Sequence, residues 1–365
     1  MTEQQTAPHR ILVLGAGYAG LAAAGTLCRR PHGALITVVD ARTELVERVR
    51  LHQLAAGQAI PRWDLRTLLE GKGAQFVQGR VISIDAAAQQ VSLADATVLG
   101  YDTLIHTLGS AADVDSVAGV RENAYPIATL EDVAALPPLA GQVAVVGGGA
   151  TGIETAAELA EAHPELSVAL VSSEQPGHWL SGRAQRGIAT ALGRLGVEVR
   201  TGVKVVEVTP TGLVTADGDR IAAATVLWTT GFTTGDLAAR AGLAVDSHGR
   251  VLVDATLRTS DPHIYAAGDC AAIAGPGGRE LRMACATALP TGARAASAAL
   301  ARMRGARPDE LRFRYVLQCI SLGRRDAVVQ FVRADDVPAP RALTGRPAAL
   351  IKELIVRGAS RTARR

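Results

Sequence analysis

Two glycine-rich loops with the same spacing restrict the folds open to this chain. Each follows a short apolar run and precedes a segment of small residues typical of a helix. The spacing G-x-G-x-x-G occurs twice, at Gly15, Gly17 and Gly20 and again at Gly147, Gly149 and Gly152. The flanking elements that we predict are strands over Ile11–Leu14 and Val143–Val146 and helices over Ala19–Arg29 and Ile153–Glu161. In such a unit the glycines allow a tight turn, close approach of a pyrophosphate and close helix–strand contact, so the duplication predicts two dinucleotide-binding folds.

The residue at the end of the second strand distinguishes the two units. In the first unit the run "ALITVVD" ends at Asp40, twenty residues beyond Gly20, where a carboxylate accepts hydrogen bonds from a ribose. The alternative is a structural glycine turn with a surface aspartate. In the second unit Ser172 has the equivalent position, with Glu174 two residues later. A carboxylate repels a 2′-phosphate whereas a serine can donate to one, so the choice between NADH and NADPH stays open; we favour NADH because no arginine stands beside Ser172.

Composition argues against several other classes of protein. The 365 residues carry a net charge of +3, from 38 basic and 35 acidic residues, without a basic stripe interleaved with aromatic residues, so we expect no nucleic-acid partner. The four cysteines lack the spacing of a metal site, and we expect no metal. The segment "MTEQQTAPHR" is polar and no apolar run is long enough to cross a bilayer. We therefore expect a cytoplasmic protein with at most weak peripheral membrane contact, and the sequence leaves a homodimer open.

Three further segments carry a resemblance to a known family. They are "YDTLIHTLGS" (Tyr101–Ser110), "TVLWTTGF" (Thr225–Phe232) and "HIYAAGDCA" (His263–Ala271). With the glycine loops they resemble the ordered motifs of the FAD-dependent pyridine nucleotide oxidoreductases, and more narrowly those of the type II NADH:quinone oxidoreductases and the apoptosis-inducing-factor group. The first segment departs from the family pattern, since His106 and Thr107 stand where Ala-Thr is usual.

The resemblance implies an α/β fold with two Rossmann-like dinucleotide-binding domains. The FAD-binding domain, predicted over residues 10–110 and 236–306, is split by an inserted NAD(P)H-binding domain over residues 111–235. A small C-terminal part with strands and a basic tail follows over residues 307–365. Alternating residues in "AQFVQGRVISID" and "QQVSLAD" predict a small meander within the FAD-binding domain.

The resemblance also implies the residues of the site. Glu154 matches a family glutamate near the nicotinamide and the flavin and is the predicted catalytic residue; the alternative is a first-turn carboxylate favoured by the helix dipole. Asp40 is implied to hold the adenosine ribose, and Asp269 the ribityl–pyrophosphate part of FAD. The other implied cofactor-binding residues are Gly15, Gly17, Tyr18, Ala19, Gly20, Ala41, Arg42, Arg50, Val81, Gly109, Gly147, Gly149, Thr151, Gly152, Ser172, Gly231, Gly268, Ala288 and Leu289. For His52 the alternatives are a place beside the flavin and a helix-face histidine bonded to backbone.

A missing cysteine pair bears on the reaction. Many relatives relay electrons through a C-x-x-x-x-C disulfide, whereas the corresponding stretch, Arg42–Gln58, contains no cysteine. We therefore expect an FAD-dependent NAD(P)H oxidoreductase that passes hydride from nicotinamide to flavin N5 and then passes electrons to a small quinone-like acceptor. The alternatives are a ferredoxin-type reductase, an NADH-sensing flavoprotein and a secondary-metabolite flavin oxidoreductase. Ala-Cys-Ala-Thr-Ala around Cys285 replaces the glutamines usual near the quinone, so the acceptor stays open.

Two helices are predicted near the C-terminus. Pro290 predicts the first turn of a helix that runs to Met303. The resemblance implies that this helix points its N-terminus at the flavin, where the helix dipole stabilises negative charge. The last helix, Pro347–Val356, has a basic end, and its apolar side contains Leu350, Ile351, Leu354 and Ile355. Core packing with a solvated tail and contact with anionic lipid are the alternatives for this helix, and we favour core packing.

Overall fold

Two five-stranded parallel sheets dominate the architecture, and each leads into one of the glycine loops. The computed structural model describes residues 7–30 and 32–365, so most of the polar N-terminal segment lies outside the described part of the chain. The prediction of an α/β fold with two Rossmann-like units is confirmed.

The first parallel sheet is assembled from two separated parts of the chain. Its strands, in order across the sheet, are Ile264–Ala266, Thr103–His106, Arg10–Leu14, Leu35–Asp40 and Gln75–Gln78. The edge strand Ile264–Ala266 follows the whole second sheet in sequence, yet it pairs with Thr103–His106. The first sheet is therefore split by an insertion.

The second parallel sheet repeats this arrangement. Its strands, in order, are Tyr125–Pro126, Thr225–Trp228, Gln142–Val146, Ser167–Val171 and Glu198–Arg200. In the central strand Val143 and Val145 pack into one apolar cluster, and Ala144 and Val146 pack into another. Both faces are thus covered, as expected for a parallel sheet with connections on either side.

The helices are numbered in chain order. They are α1 (Tyr18–Cys28), α2 (Leu51–Ala55), α3 (Leu65–Glu70), α4 (Val120–Asn123), α5 (Leu130–Ala134), α6 (Ala150–Ala162), α7 (Gly182–Arg194), α8 (Leu237–Arg240), α9 (Cys285–Met303) and α10 (Arg346–Arg364). Helices α1 and α6 begin directly at the two glycine loops, with Gly17 and Gly149 as N-caps. Among the described residues, no helix has the length and apolarity needed to cross a membrane.

Short strands make up the remaining sheets. The three-stranded sheets contain Val81–Asp85, Gln90–Leu93 and Val98–Gly100; Val205–Thr209, Gly212–Thr215 and Arg220–Ala222; and Leu317–Ser321, Ala327–Val332 and Pro338–Thr344. The two-stranded sheets pair Glu44–Val46 with Arg62–Asp64, Ala111–Ala112 with Phe232–Thr233, and Val251–Leu252 with Ala271–Ala272. The predicted meander starts only at Val81, because Gln75–Gln78 joins the first parallel sheet through its buried Phe76.

The pairing of Ala111–Ala112 with Phe232–Thr233 lies where the chain passes between the two large sheets. The strands of the first parallel sheet all lie before or after this pair in sequence, and the strands of the second parallel sheet all lie between its two members. On this basis we propose that residues 10–110 and 236–306 form the FAD-binding domain, residues 111–235 the NAD(P)H-binding domain and residues 307–365 a small C-terminal unit.

Helix α9 begins earlier than the sequence predicts. It starts at Cys285, so Pro290 lies inside the helix rather than in its first turn. The turn before the proline is buried at Thr287 and Ala288, and α9 packs along α1. Tertiary packing therefore outweighs the loss of one intrahelical N–H, and the prediction of a helix start at Pro290 is wrong.

Helix α10 is longer than predicted and presents a different face to the core. It continues to Arg364, well beyond the predicted end at Val356. Its buried residues are Ala348, Lys352, Val356, Ser360 and Ala363. Leu350 and Leu354 are instead 65% and 60% exposed. Ile351 and Ile355 are half-buried, so only part of the predicted apolar side faces the core. The basic end continues the helix, which packs on α1.

Candidate active site

The two glycine loops have the same internal geometry. In each loop a Cβ on the third glycine would collide with the carbonyl oxygen of the first, which only glycine avoids. A threonine from a neighbouring strand end fixes each loop: the Thr107 hydroxyl donates to the Leu14 carbonyl and the Thr229 hydroxyl to the Val146 carbonyl, both at 2.7 Å. The two loops therefore share an equivalent threonine hydrogen bond as well as the glycine spacing.

The middle glycine of each loop leaves room for a ligand. A Cβ on Gly17 or on Gly149 would meet no atom within 4 Å. Both glycines cap a helix without a side-chain hydrogen bond, so the N–H groups of the first turn are free to bind phosphate oxygens. These two open cradles fit the pyrophosphates of two dinucleotides.

The residues that follow the loops differ between the two units. The Asp40 carboxylate accepts hydrogen bonds from the backbone N–H groups of Ala16 (2.7 Å) and Arg42 (2.9 Å), which hold it at the end of its strand. The Ser172 hydroxyl is buried and accepts a hydrogen bond from the Glu174 N–H at 3.3 Å. Only the first unit therefore has a carboxylate in the position that suits a ribose diol.

A single cavity of ≈590 Å³ extends from the first glycine loop to α6 and α10, and we call it the main cavity. The predicted site residues that line it are Gly15, Gly17, Tyr18, Ala19, Asp40, Ala41, Arg42, Val81, Gly109, Thr151, Glu154, Gly268, Asp269 and Ala288. The predicted residues outside its lining are Gly20, Arg50, Gly147, Gly149, Gly152, Ser172, Gly231 and Leu289. Gly20 and Gly152 serve close packing, and Gly147 and Gly149 come just before Ala150 and Thr151, which line the cavity.

Arg50 does not reach the main cavity. Its guanidinium is buried between two carboxylates, with Nε 2.6 Å from Glu47 and Nη2 2.8 Å from Glu353. The neighbouring Arg48 lines the cavity instead, and its Nη1 lies 3.5 Å from the Asp269 carboxylate. Because the turn Arg48–Arg50 is a short 3₁₀ segment, side chains two residues apart leave it on different sides.

Asp269 lies at the cavity wall in the 3₁₀ turn Gly268–Cys270. Its carboxylate accepts a hydrogen bond from the Ser110 hydroxyl at 3.0 Å and faces Arg48. Ser110 ends the segment "YDTLIHTLGS", so two motifs distant in sequence meet at this point. The turn thus carries a fixed carboxylate that can accept hydrogen bonds from a sugar or a ribityl chain.

Glu154 is held at the opposite end of the main cavity. Its carboxylate contacts the Lys352 ammonium, accepts a hydrogen bond from the Ser321 N–H at 2.9 Å and lies 3.5 Å from His52 Nδ1. Glu154 lies beyond the first turn of α6, so the helix dipole does not account for a carboxylate at this position. The side chain lines the main cavity instead. Lys352 was missed by sequence reasoning; its signal is a lysine inside the apolar stretch of α10.

Charge within this cluster is set by burial and pairing. Burial alone would raise the pKa of Glu154, but the charge of Lys352, followed by His52 and the hydrogen bonds, outweighs burial and lowers it. Burial lowers the pKa of His52 to about 4, and its Nε2 has no partner among the described residues. At neutral pH Glu154 is therefore a carboxylate and His52 a neutral imidazole. Within the described part of the chain His52 is not bonded to backbone, contrary to one alternative.

The four cysteines differ in their position relative to the main cavity. All four cysteines are free thiols. Cys285 and Cys319 line the main cavity, where burial raises the pKa of each, that of Cys285 to about 11. Cys270 is buried behind the wall and donates to the His106 and Ala267 carbonyls. Across the described residues, no group of histidine, cysteine and carboxylate side chains could hold a metal ion.

Comparisons with known proteins agree with this geometry. Residues 9–299 match the family described as pyridine nucleotide-disulphide oxidoreductase. The chain is 32% identical over 292 residues to an NADH dehydrogenase-like protein of Mycobacterium tuberculosis, covering 72% of this chain and 73% of that protein. It is 32% identical over 322 residues to a probable ferredoxin reductase of Castellaniella defragrans, covering 82% of this chain and 76% of that protein.

A solved structure supports the fold over almost the whole length. NDH2 of Plasmodium falciparum, solved in complex with NADH, superimposes with a TM-score of 0.82 at 14% identity and covers 98% of this chain and 96% of that chain. At this identity the likeness concerns the fold alone. Taken with the two open cradles and the family match, it leads to one assignment: the chain belongs to the pyridine nucleotide-disulphide oxidoreductase family and is a flavoprotein oxidoreductase that uses FAD and NAD(P)H.

Proposed function

We propose that the protein oxidises NADH and reduces a small quinone-like acceptor without using a protein disulfide. The observation that carries this proposal is the main cavity, which joins the first phosphate cradle and Asp269 to Thr151, Glu154 and Lys352. One end suits a resident FAD, and the start of α6 suits a visiting nicotinamide. Two redox partners bound in this way would lie close to each other, away from bulk water.

FAD, when bound, would supply a ring that takes up hydride at N5 and releases electrons to an acceptor. The chain's own task on that side is binding and orientation. The free N–H groups after Gly17 would hold the pyrophosphate, Asp40 the adenosine ribose, and Asp269 the ribityl part. Arg48, beside Asp269, adds a positive charge at the cavity wall.

Glu154 and Lys352 would act on the acceptor side. Reduction of a quinone to a hydroquinone takes up two protons, and the Lys352 Nζ carries a proton in contact with the Glu154 carboxylate. Both residues line the main cavity, so Lys352 Nζ can donate a hydrogen bond to an acceptor oxygen while Glu154 holds the lysine side chain in place. His52, with a pKa of about 4, stays neutral and therefore orients the carboxylate rather than supplying the proton.

The test is reduction in two separate half-reactions. The purified flavoprotein is first mixed with NADH or NADPH without oxygen, and then with menadione. We expect fast reduction by NADH, fast reoxidation by menadione, and a kcat loss of at least about tenfold in Glu154→Gln. The matched control is Glu165→Gln, an exposed carboxylate just beyond α6, which should keep the parental rates. Fast NADPH reduction with slow NADH reduction, or an unchanged kcat in Glu154→Gln, would contradict the proposal.

Electron transfer to an iron–sulfur protein is the second candidate. It is favoured by the exposed arginines Arg324, Arg325 and Arg346 near the acceptor side, because acidic electron carriers dock on basic surfaces. Turnover that requires a ferredoxin and stays slow with every quinone would favour this second function.

A further inference from the structure

A second cavity opens beside the acceptor end of the main cavity. It has a volume of ≈400 Å³ and lies between the turn at Arg324 and Arg325 and the start of α10. We call it the arginine cleft, and its argued members are Arg324, Arg325, Arg346, Leu350 and Lys352. The volume lies in the range of small-molecule sites. A cleft of this size is too small to admit a folded protein.

The arginine cleft and the main cavity share three lining residues. Val49, Lys352 and Val356 line both cavities. Lys352 therefore faces the cleft and also contacts Glu154. A molecule in the cleft would lie against the pair that we assign to acceptor reduction.

Charge in the cleft is predominantly positive. The one carboxylate in its lining, Glu353, is engaged by Arg50 at 2.8 Å and by Arg357 at 2.7 Å. Burial would raise the pKa of Glu353, but hydrogen bonds from Arg50 and Arg357 lower it to about 2. Arg324 lies within 4 Å of Glu158 and of Glu353, so its charge is also offset.

Arg325 and Arg346 are the exceptions. In the described part of the chain neither guanidinium has a hydrogen-bond or ion-pair partner. Both residues line the cleft. Arg325 lies in the turn before Asp326, and Arg346 lies in the first turn of α10. Two uncompensated guanidinium groups at one small cavity create a positive potential that favours an anionic group.

Part of the remaining lining is apolar, next to the polar Gln53 and Ser321. Val49, Ala349, Leu350 and Val356 contribute aliphatic surface next to the arginines. Arginines that only formed a solvated surface patch would not need aliphatic side chains beside them. The combination suits a molecule with an apolar ring and an anionic substituent.

We propose that the acceptor enters through the arginine cleft and that the preferred acceptor is a quinone carrying an anionic group such as a sulfonate or carboxylate. This inference rests on the proposed function. The reaction balances as quinone plus NADH plus one proton giving hydroquinone plus NAD⁺, with two electrons passed to the ring. The anionic group is unchanged; Arg325 and Arg346 hold it while the ring lies near Lys352.

The kinetic test compares two naphthoquinones with the flavoprotein as purified: menadione and a naphthoquinone sulfonate. The variant is Arg325→Gln with Arg346→Gln, and the matched control is Arg361→Gln, an exposed α10 arginine outside the cleft. We expect the ratio of kcat/KM for the sulfonate to that for menadione to fall about tenfold in the double variant and to stay unchanged in the control. The parental ratio should also fall with added salt, because the arginines are exposed.

A binding measurement removes the dependence on turnover. Calorimetric titration of the oxidised flavoprotein with the naphthoquinone sulfonate, without NADH, should give a Kd about tenfold higher in the double variant. Equal Kd values, or an unchanged kcat/KM ratio, would overturn the inference. Reduction of the bound flavin by NADH is followed in the same preparations. If NADH fails to reduce the flavin, the proposed function is refuted. If NADH reduces the flavin but the sulfonate is not preferred, only the cleft inference is refuted.

Two other outcomes identify a different anion. If the double variant loses co-sedimentation with phosphatidylglycerol vesicles while its sulfonate kinetics stay parental, the arginines bind lipid headgroups and the inference is overturned. If the double variant instead loses only the reduction of an acidic ferredoxin, they bind a protein partner and the inference is again overturned.

Discussion

The contact between Lys352 and Glu154 leads to the sharpest stability prediction. The two side chains are only 10% and 13% exposed, and they connect α10 to α6. Replacing Lys352 with methionine keeps an apolar stem and leaves the Glu154 carboxylate without its cation. Removing one partner of a buried pair costs about 3–5 kcal/mol of unfolding free energy. Since the Ser321 N–H still donates to the carboxylate, we expect the lower end, about 3 kcal/mol.

The loss of unfolding free energy in Lys352→Met should depend on pH. In the parent the pKa of Glu154 is lowered, so its stabilising contribution is present above the unfolded pKa and is lost as the pH falls through the folded pKa. Without Lys352, burial instead raises the pKa of Glu154, and the charged form becomes costly. The destabilisation by Lys352→Met should therefore be larger at about pH 8 than at about pH 5.

The assay is urea unfolding followed by tryptophan fluorescence. Arg357→Met is the matched control on the same helix, because Arg357 is 63% exposed and its pair with Glu353 should contribute no more than about 1 kcal/mol. Combining Lys352→Met with Glu154→Gln should be less damaging than the sum of the single changes. Equal losses in Lys352→Met and Arg357→Met, or additive single losses, would refute the reasoning.

Three further predictions concern the cradle, the histidine and the thiols. Gly17→Val should keep the fold but remove most bound flavin, because the new side chain occupies open space at the cradle; flavin content per folded chain checks this, and parental content would contradict it. His52 has a pKa of about 4 against 6.5 for the ordinary side chain, so its contribution to the free energy of unfolding is lost as the pH falls from 6.5 towards 4. The free energy of unfolding of His52→Gln should therefore fall less across that pH range than that of the parent. An equal dependence on pH in the two proteins would contradict this. Thiol titration of the denatured protein should find four thiols before and after NADH reduction, and a gain of two on reduction would reveal a redox disulfide.

Local spacing explains what could be predicted from the sequence. The two glycine loops, Asp40 and the strands around them depend on contacts between residues close in sequence, and they were placed correctly. Alternation of apolar residues predicted the meander strands Val81–Asp85 and Gln90–Leu93, whereas Gln75–Gln78 joins the parallel sheet and Pro338–Thr344 was not predicted. These features are therefore open to sequence reasoning in any chain of this type.

The parts that could not be predicted depend on distant contacts. Lys352 reaches Glu154 from 198 residues away, and a lysine inside the apolar stretch of α10 does not by itself indicate which residue it will contact. Arg48, rather than Arg50, faces the main cavity because Glu47 and Glu353 capture Arg50. The start of α9 predicted from Pro290 is wrong, because packing against α1 outweighs the preference of proline for a first turn.

The central claim is that two phosphate cradles bring FAD and a nicotinamide together in one cavity. The most direct measurement is an anaerobic titration of the FAD-saturated protein with NADH, followed through the flavin absorption band. We expect the protein to retain one FAD per chain through gel filtration and about one equivalent of NADH to bleach the band. A protein that retains no FAD, or retains FAD that neither NADH nor NADPH reduces, would contradict it.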